Sequence, residues 1–207
     1  MLQSRESALL DTVAELIPEN YFAPLDLISI YGRTAPLEVD LGCGDGVFLT
    51  GLAGGNPERC FLGIERLSGR VKTTRGRIAR LQLANARVLL VETSYAIQYL
   101  LPVESVAVFH VMFPDPWPKR RHQGRRIMNR DFFASIHRAL IPGGLFRVVT
   151  DDADYFRSIQ SLVSQLPEFN RITGPAGPRP ISTFEKRFRE KGKEIHSLVL
   201  QNVSPVT

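Results

Sequence analysis

The segment "FPDPWPKRRHQGRR" at 113–126 sets an acid between two prolines, with an aromatic and a burst of cations behind it. Proline fixes φ near about −65° and drives the residue before it toward extended backbone. Pro114, Pro116 and Pro118 therefore predict an extended ribbon holding Phe113, Asp115 and Trp117, in which alternate side chains face the same way. Such a ribbon aims the Asp115 carboxylate and one or two aromatics at a ligand. Lys119, Arg120, Arg121, Arg125 and Arg126 stand ready to hold anionic groups beside it. Trp117 offers a stacking face, with packing of the loop onto the domain as its plainer role.

A second constellation is "VDLGCGDG" at 39–46, with glycines at 42, 44 and 46. A glycine turn between strand and helix lets the backbone bend tightly and approach a ligand. The order is GxGxG, whereas the dinucleotide fingerprint GxGxxG sets a pyrophosphate on the helix N-terminus. Asp40, ahead of Gly42 and Gly44, and Asp45 among the glycines repel a pyrophosphate. They suit a cofactor carrying an ammonium and a sulfonium, so the acids favour S-adenosylmethionine over a nicotinamide dinucleotide. Glu65 and Glu92 end later strands, where one carboxylate can accept from ribose hydroxyls and the other from an adenine amino group. Each acid has a plainer alternative, Asp40 as a turn or cap residue and Glu65 and Glu92 as solvated strand ends.

These residues need a frame that brings strand ends together. Short apolar runs at "PLEVDL", "RCFLGIE", "ARVLLVE", "SVAVFHVM" and "LFRVVT" alternate with helical patterns, among them Leu67, Val71, Thr74, Ile78 and Leu81. The pattern "RDFFASIHRALIPGG" reads as a helix stopped by Pro-Gly-Gly, and "DADYFRSIQSLVSQL" as another. "FNRIT" and "IHSLVLQN" add two strands around a basic, helix-prone "TFEKRFREKGK". Repeated βα units predict an α/β fold, a mostly parallel seven-stranded sheet with helices on both faces. Ligands bind such sheets beyond the strand carboxyl ends, which is where Asp40, Glu65, Glu92, Asp115 and Asp151 all fall. "LLDTVAELI" at 9–17 has helical spacing, and "PENYFAPLDLISIYGRTAP" reads as an irregular lead-in. The organisation expected is an N-terminal helix and lead-in segment over 1–35 and one catalytic domain over 36–207, a single domain overall.

At 207 residues, 43% of them hydrophobic, the chain suffices for one well-buried core. Its longest strongly apolar run falls short of the about 20 residues of a membrane helix, and no secretory leader is apparent, so a soluble cytoplasmic protein with no membrane partner is expected. Cys43 and Cys60 lie in no metal-ligand spacing, which predicts reduced packing residues and no metal. The net charge of +5 is unevenly spread. Cations crowd 66–80, 119–130 and 186–193, the footprint of a polyanion-binding protein.

"FPDPWPKRRHQGRR", with "TDDADYF" at 150–156 and "STFEKRF" at 182–188, resembles the bacterial tRNA (guanine-N7)-methyltransferases from about Leu37 to about Leu200. The resemblance implies a Rossmann-like class I methyltransferase fold, S-adenosylmethionine as cofactor and tRNA as partner, with the methylated guanosine in the variable loop. It places Asp40, Glu65 and Glu92 at cofactor-binding positions and Asp115 at a position both cofactor-contacting and catalytic. Lys119, Asp151 and the stretch Ser182, Thr183, Phe184 and Glu185 fall at tRNA-substrate positions. Asp40 stands where the family usually has Glu, Glu92 where Asp is usual and Ser182 where Thr is usual; each keeps the functional group. The chemistry agrees, because guanine N7 has a free in-plane lone pair and its attack on a sulfonium methyl needs no general base, only positioning and electrostatics. Asp115 or Asp151 would mark the guanine by accepting from its N1 and N2 protons, and Arg120, Arg121, Arg125 and Arg126 would hold phosphates. Glu185 binds a base or the cofactor, or caps a helix. Two rival readings remain: a methyltransferase acting on another RNA, a protein or a small acidic molecule, and an RNA-binding module with a vestigial cofactor site. Monomer and homodimer both stay open.

Overall fold

A computed structural model describes residues 14–117, 121, 124, 126–173 and 179–203. Among these, eight strands form one sheet: β1 (Glu15–Leu16), β2 (Leu37–Leu41), β3 (Cys60–Glu65), β4 (Ala86–Leu90), β5 (Val106–Met112), β6 (Leu140–Thr150), β7 (Phe169–Arg171) and β8 (His196–Asn202). Their order is β1-β4-β3-β2-β5-β6-β8-β7. The strands from β1 to β6 pair in parallel, and β8 runs antiparallel to both β6 and β7. The order reverses between β2 and β5, so the crevice expected of such a sheet opens between the glycine turn after β2 and the proline loop after β5.

The helices are α1 (Leu27–Tyr31), α2 (Val47–Gly55), α3 (Ser68–Arg80), α4 (Thr93–Tyr95, continuing as a π-helical turn over Ala96–Leu100), α5 (Arg130–Ala139), α6 (Ala153–Val163) and α7 (Thr183–Glu190). Strands β2 and β3 are buried along their whole length, as strands covered on both faces must be. Val39 and Leu41 belong to one apolar cluster, with Phe132, Phe133, Ile136 and Phe146. The other cluster joins Phe61 and Val88 to Phe48, Leu49 and Leu52 of α2 and to Val71 and Ile78 of α3. Side chains alternate along a strand, so Glu38 and Asp40 point away from the Val39 face and carry carboxyl groups into the interior.

The structure corrects four expectations. The sheet has eight strands because, after a helical Ala14, Glu15 and Leu16 of the expected 9–17 helix are strand: they pair with Val88 and Leu89 of β4, and Glu15 Oε2 accepts from Arg75 Nη1 at 3.1 Å. Pairing with an open sheet edge outweighs helical periodicity there. The lead-in contains α1, capped by Asp26 (Oδ1 from Ser29 N, 3.1 Å) and closed by Gly32 at φ 66. The helix expected to continue up to the Pro-Gly-Gly stop ends at Ala139, and Leu140, the first residue of β6, already pairs with Val106 of β5; Pro142 bars the residue before it from helical backbone. Finally, the proline loop is not a straight ribbon, since Phe113 and Trp117 take φ of 56° and 40°. Asp115 Oδ1 accepts from Trp117 N at 3.1 Å, a local turn that bends the chain where proline alone would extend it.

Candidate active site

The glycine turn is fixed from three sides. Gly42 N and Cys43 N both donate to Ile64 O, at 2.8 and 3.0 Å, Thr74 Oγ1 donates to Gly44 O at 3.0 Å, and Arg77 Nε to Asp45 O at 3.2 Å. Gly42, Gly44 and Gly46 all adopt left-handed backbone, and a Cβ on Gly46 would lie 2.6 Å from the Thr74 methyl carbon. Only glycine serves at such a position.

Asp40 lies beneath this turn and is 2% exposed. Among the described residues neither of its carboxylate oxygens has a hydrogen-bond partner. Burial first, then the nearby Glu65 and Asp45, pushes its carboxyl up to about 8. A buried carboxylate without a donor is costly to keep, and a ligand bearing an ammonium is the kind of group that would satisfy it. These acceptor oxygens fit the ammonium at the amino-acid end of S-adenosylmethionine. Glu65, 4% exposed, accepts from Gly44 N at 3.1 Å, Arg66 N at 2.8 Å and Leu67 N at 2.9 Å, with Arg70 Nη1 3.7 Å away. It ties β3 to the glycine turn and keeps acceptor capacity for further donors.

Asp40, Gly42 and Gly44 line one cavity together with Cys43, Asp45, Phe48 and Met112, and with Ser182, Thr183 and Phe184 from the start of α7. Thr183 Oγ1 donates to Asp45 Oδ2 at 2.8 Å, so α7 is fastened to the glycine turn. Ser182 Oγ accepts from Glu185 N at 3.1 Å as the helix cap. Glu185, 1% exposed, accepts from Arg179 Nη1 at 2.6 Å and from Arg189 Nε and Nη2 at 3.0 and 2.7 Å. Phe184 lies 6.0 Å from the Arg70 guanidinium, and its neighbour Phe188 packs 5.2 Å from Phe113 at the root of the proline loop. The Ser182–Glu185 stretch thus sits on the cofactor side of the crevice as well as next to the loop.

Three other candidates stand apart from that cavity. Glu92 is exposed and caps α4 by accepting from Tyr95 N at 2.9 Å. Asp115 is exposed on the proline loop. Asp151, half-buried at the end of β6, lies 3.5 Å from Lys193 Nζ. Arg121 is exposed, whereas Lys119, Arg120 and Arg125 lie outside the described residues. Arg126 donates to Pro116 O and packs on Tyr155. In the first basic cluster Arg70 approaches Glu65, Arg75 pairs with Glu15 and Arg77 holds the glycine turn, so part of that cluster stabilises the fold. Sequence reasoning missed the Thr183–Asp45 bond, the Phe48 and Met112 walls and the Arg126–Tyr155 contact. No local pattern marks them, because each joins segments far apart in the chain. Cys43 and Cys60 are buried free thiols, as expected. Among the described residues no group of His, Cys, Asp and Glu is arranged to hold a metal ion, and no helix is long and apolar enough to cross a membrane.

A mostly parallel sheet with a glycine turn and a buried acid at its switch point is the arrangement of a Rossmann-like methyltransferase. Solved structures share that fold: the 16S rRNA methyltransferase KamB superposes with a TM-score of 0.62 at 14% identity over 87% of this chain and 95% of its own. The aminoglycoside resistance methyltransferase NpmB1 does so with a TM-score of 0.58 at 18% identity over 85% and 92%. Residues 34–198 match the methyltransferase family model Methyltransf_4. The tRNA (guanine-N(7)-)-methyltransferase of Syntrophotalea carbinolica is 34% identical over 183 residues, covering 86% of this chain and 79% of that protein. Its counterpart from Halorhodospira halophila is 35% identical over 181 residues, covering 84% and 78%. The chain belongs to the tRNA (guanine-N7)-methyltransferase family.

Proposed function

We propose that this protein transfers a methyl group from S-adenosylmethionine to N7 of a guanosine in tRNA, in the variable loop and in the cytoplasm. The observation that carries the reading is the buried Asp40 carboxyl, without a partner among the described residues, under a glycine turn in left-handed backbone and across the switch point from the loop bearing Asp115, in a chain of this family. When bound, S-adenosylmethionine supplies an electrophilic sulfonium methyl. Asp40, Gly42 and Gly44 would hold its amino-acid end, Glu65 its ribose and Glu92 its adenine.

The chain's own work is positioning and electrostatics. N7 carries no proton, so no base is required, and the purine must be held with that edge toward the methyl. Asp115, or Asp151 on the neighbouring strand end, accepts from the guanine N1–H and N2–H groups, a pattern adenine does not offer. The same carboxylates stabilise the positive charge that grows on the base as the methyl arrives. Lys119, Arg120, Arg121 and Arg125 are assigned to the tRNA backbone.

The test uses unmodified tRNA, the full chain and S-adenosylmethionine, followed by nuclease digestion and mass analysis of nucleosides. The expected result is 7-methylguanosine, with Asp115→Ala reducing turnover by on the order of 10²-fold or more while cofactor binding persists. Normal cofactor binding with no methylated nucleoside would make tRNA the wrong acceptor.

A further inference from the structure

Arg126 closes the run of cations after the proline loop, yet its guanidinium is held by the protein. Nε donates to Pro116 O at 2.8 Å, Nη1 donates to Ser158 Oγ at 3.3 Å, and the guanidinium lies 4.6 Å from the centroid of the Tyr155 ring. Tyr155 is 1% exposed on α6, and its hydroxyl accepts from Met128 N at 3.3 Å, so the surface under Arg126 is rigid. The Pro116 carbonyl that Arg126 grips lies between Asp115 and Trp117, and Trp117 has φ of 40°. At the other end of the loop, Phe113 (φ 56°) donates from N to Val149 O at 2.7 Å and packs its ring on Phe188. Asp115 therefore sits between two left-handed, non-glycine residues. Such backbone persists only where the surroundings over-determine it, and on the Trp117 side the Arg126 bond to Pro116 O adds to the local turn in which Asp115 Oδ1 accepts from Trp117 N.

We propose that Arg126 is a positioning residue for Asp115: it clamps the Pro116 carbonyl against Tyr155 and so fixes the acid for guanine, instead of serving as a phosphate ligand. The proposal rests on the reading of Asp115 as the substrate-facing acid. Arginine is required because a planar guanidinium can lie over the ring and donate within its own plane at once; a lysine ammonium keeps the charge and loses that geometry.

The experiment compares wild type with Arg126→Lys and Arg126→Ala in the full chain, reading kcat and KM for tRNA, the salt dependence of tRNA binding, and the fluorescence of Trp117, the chain's only tryptophan. A clamp predicts a kcat loss approaching 10²-fold in Arg126→Ala, little recovery in Arg126→Lys, and an unchanged slope of log K against log salt. Trp117 emission and its quenching by acrylamide should change in both variants without RNA present. A phosphate ligand predicts the reverse: KM rises, the slope falls by about 0.7–0.9, lysine restores activity and Trp117 is unaffected. That outcome, or unchanged kcat in both variants, overturns the proposal. If Arg126→Ala does not fold, the charge-preserving Arg126→Lys carries the same test. If the wild type forms no 7-methylguanosine, the tRNA reading fails, while the Trp117 signal still decides whether Arg126 holds the loop.

Discussion

Asp40 combines burial, two oxygens without a partner among the described residues and two acidic neighbours, and its chemistry follows from that combination. An ordinary aspartate titrates near 3.8, whereas this one is pushed up to about 8, so at neutral pH it holds its proton in the ligand-free protein. An ammonium placed beside it would favour the charged form and bring that value down. Binding S-adenosylmethionine at pH 7 should therefore release close to one proton, and affinity should rise with pH until about 8, where the acid is already ionised. Calorimetric titration in buffers of different ionisation enthalpy measures this directly. Asp40→Asn should bind the cofactor weakly and lose the proton release. Heats that do not depend on the buffer at pH 7 would contradict this account. The acid's place before the glycines was legible in the sequence, as were Glu65 and Asp115. Its isolation was not, because it depends on what α2 and α7 place around it. Glu92 shows the opposite case: the sequence marks it as a strand-end acid, and in the fold it is exposed and caps α4.

At the scale of elements, α7 is the piece whose sequence was only half readable. The pattern from Ser182 to Glu185 has capping-box spacing, and Ser182 does cap the helix. Glu185 instead takes two guanidiniums; burial raises its pKa, but the hydrogen bonds from Arg179 and Arg189 outweigh that and hold it below the usual range. Arg179 is 14% exposed and Arg189 56%, so the first pair is the internal one. Ser182→Ala should lower stability by about 1 kcal/mol, the worth of a cap. Glu185→Ala should lower it by about 2–3 kcal/mol, less than the 3–5 of a wholly buried pair because Arg189 reaches water. Urea unfolding of the ligand-free variants reads both, and equal losses would show that Glu185 matters only through the cap. The parallel strands were legible for a simple reason: β3 and β5 are largely apolar runs bounded by turns, and β2 sets Leu and Val alternately with acids directly before the glycine turn. Strand β1, the early start of β6 and the bend of the proline loop were not, because edge pairing, the Val106–Leu140 register and the Asp115 turn are settled by partners distant from, or subtler than, the local pattern.

Across the whole molecule, buried charge pulls stability in two directions. On β2 and β5, Glu38 Oε2 lies 2.7 Å from His110 Nε2, and Glu38 Oε1 lies 2.6 Å from Arg59 Nε. Burial drives the His110 imidazole below its ordinary 6.5 despite the pull of Glu38, so the ring is neutral at pH 7 and donates to the carboxylate. For Glu38, burial works to raise the pKa, but the bond to His110 and the charge of Arg59 hold it below 4.5. Both groups bind more protons when unfolded, so their contribution rises with pH: that of His110 up to about 6.5, that of Glu38 up to about 4.5. Asp40 has the opposite sign, since between about 4 and 8 it is the folded state that keeps the proton, and stability falls as pH rises through that window. Above 6.5 only Asp40 of these three still acts. The unfolding midpoint of the ligand-free protein should therefore decline from pH 6.5 to 8. Asp40→Asn should remove that decline, and His110→Gln should flatten the limb between about 4.5 and 6.5. Saturating S-adenosylmethionine should also cancel the decline in wild type, because it ionises the same acid with a partner in place. A decline that survives in Asp40→Asn would mean that another group carries it. If it disappears both by mutation and by ligand, the destabilising charge and the ligand-binding charge are one carboxylate, and the site's affinity is bought with the stability of the empty fold.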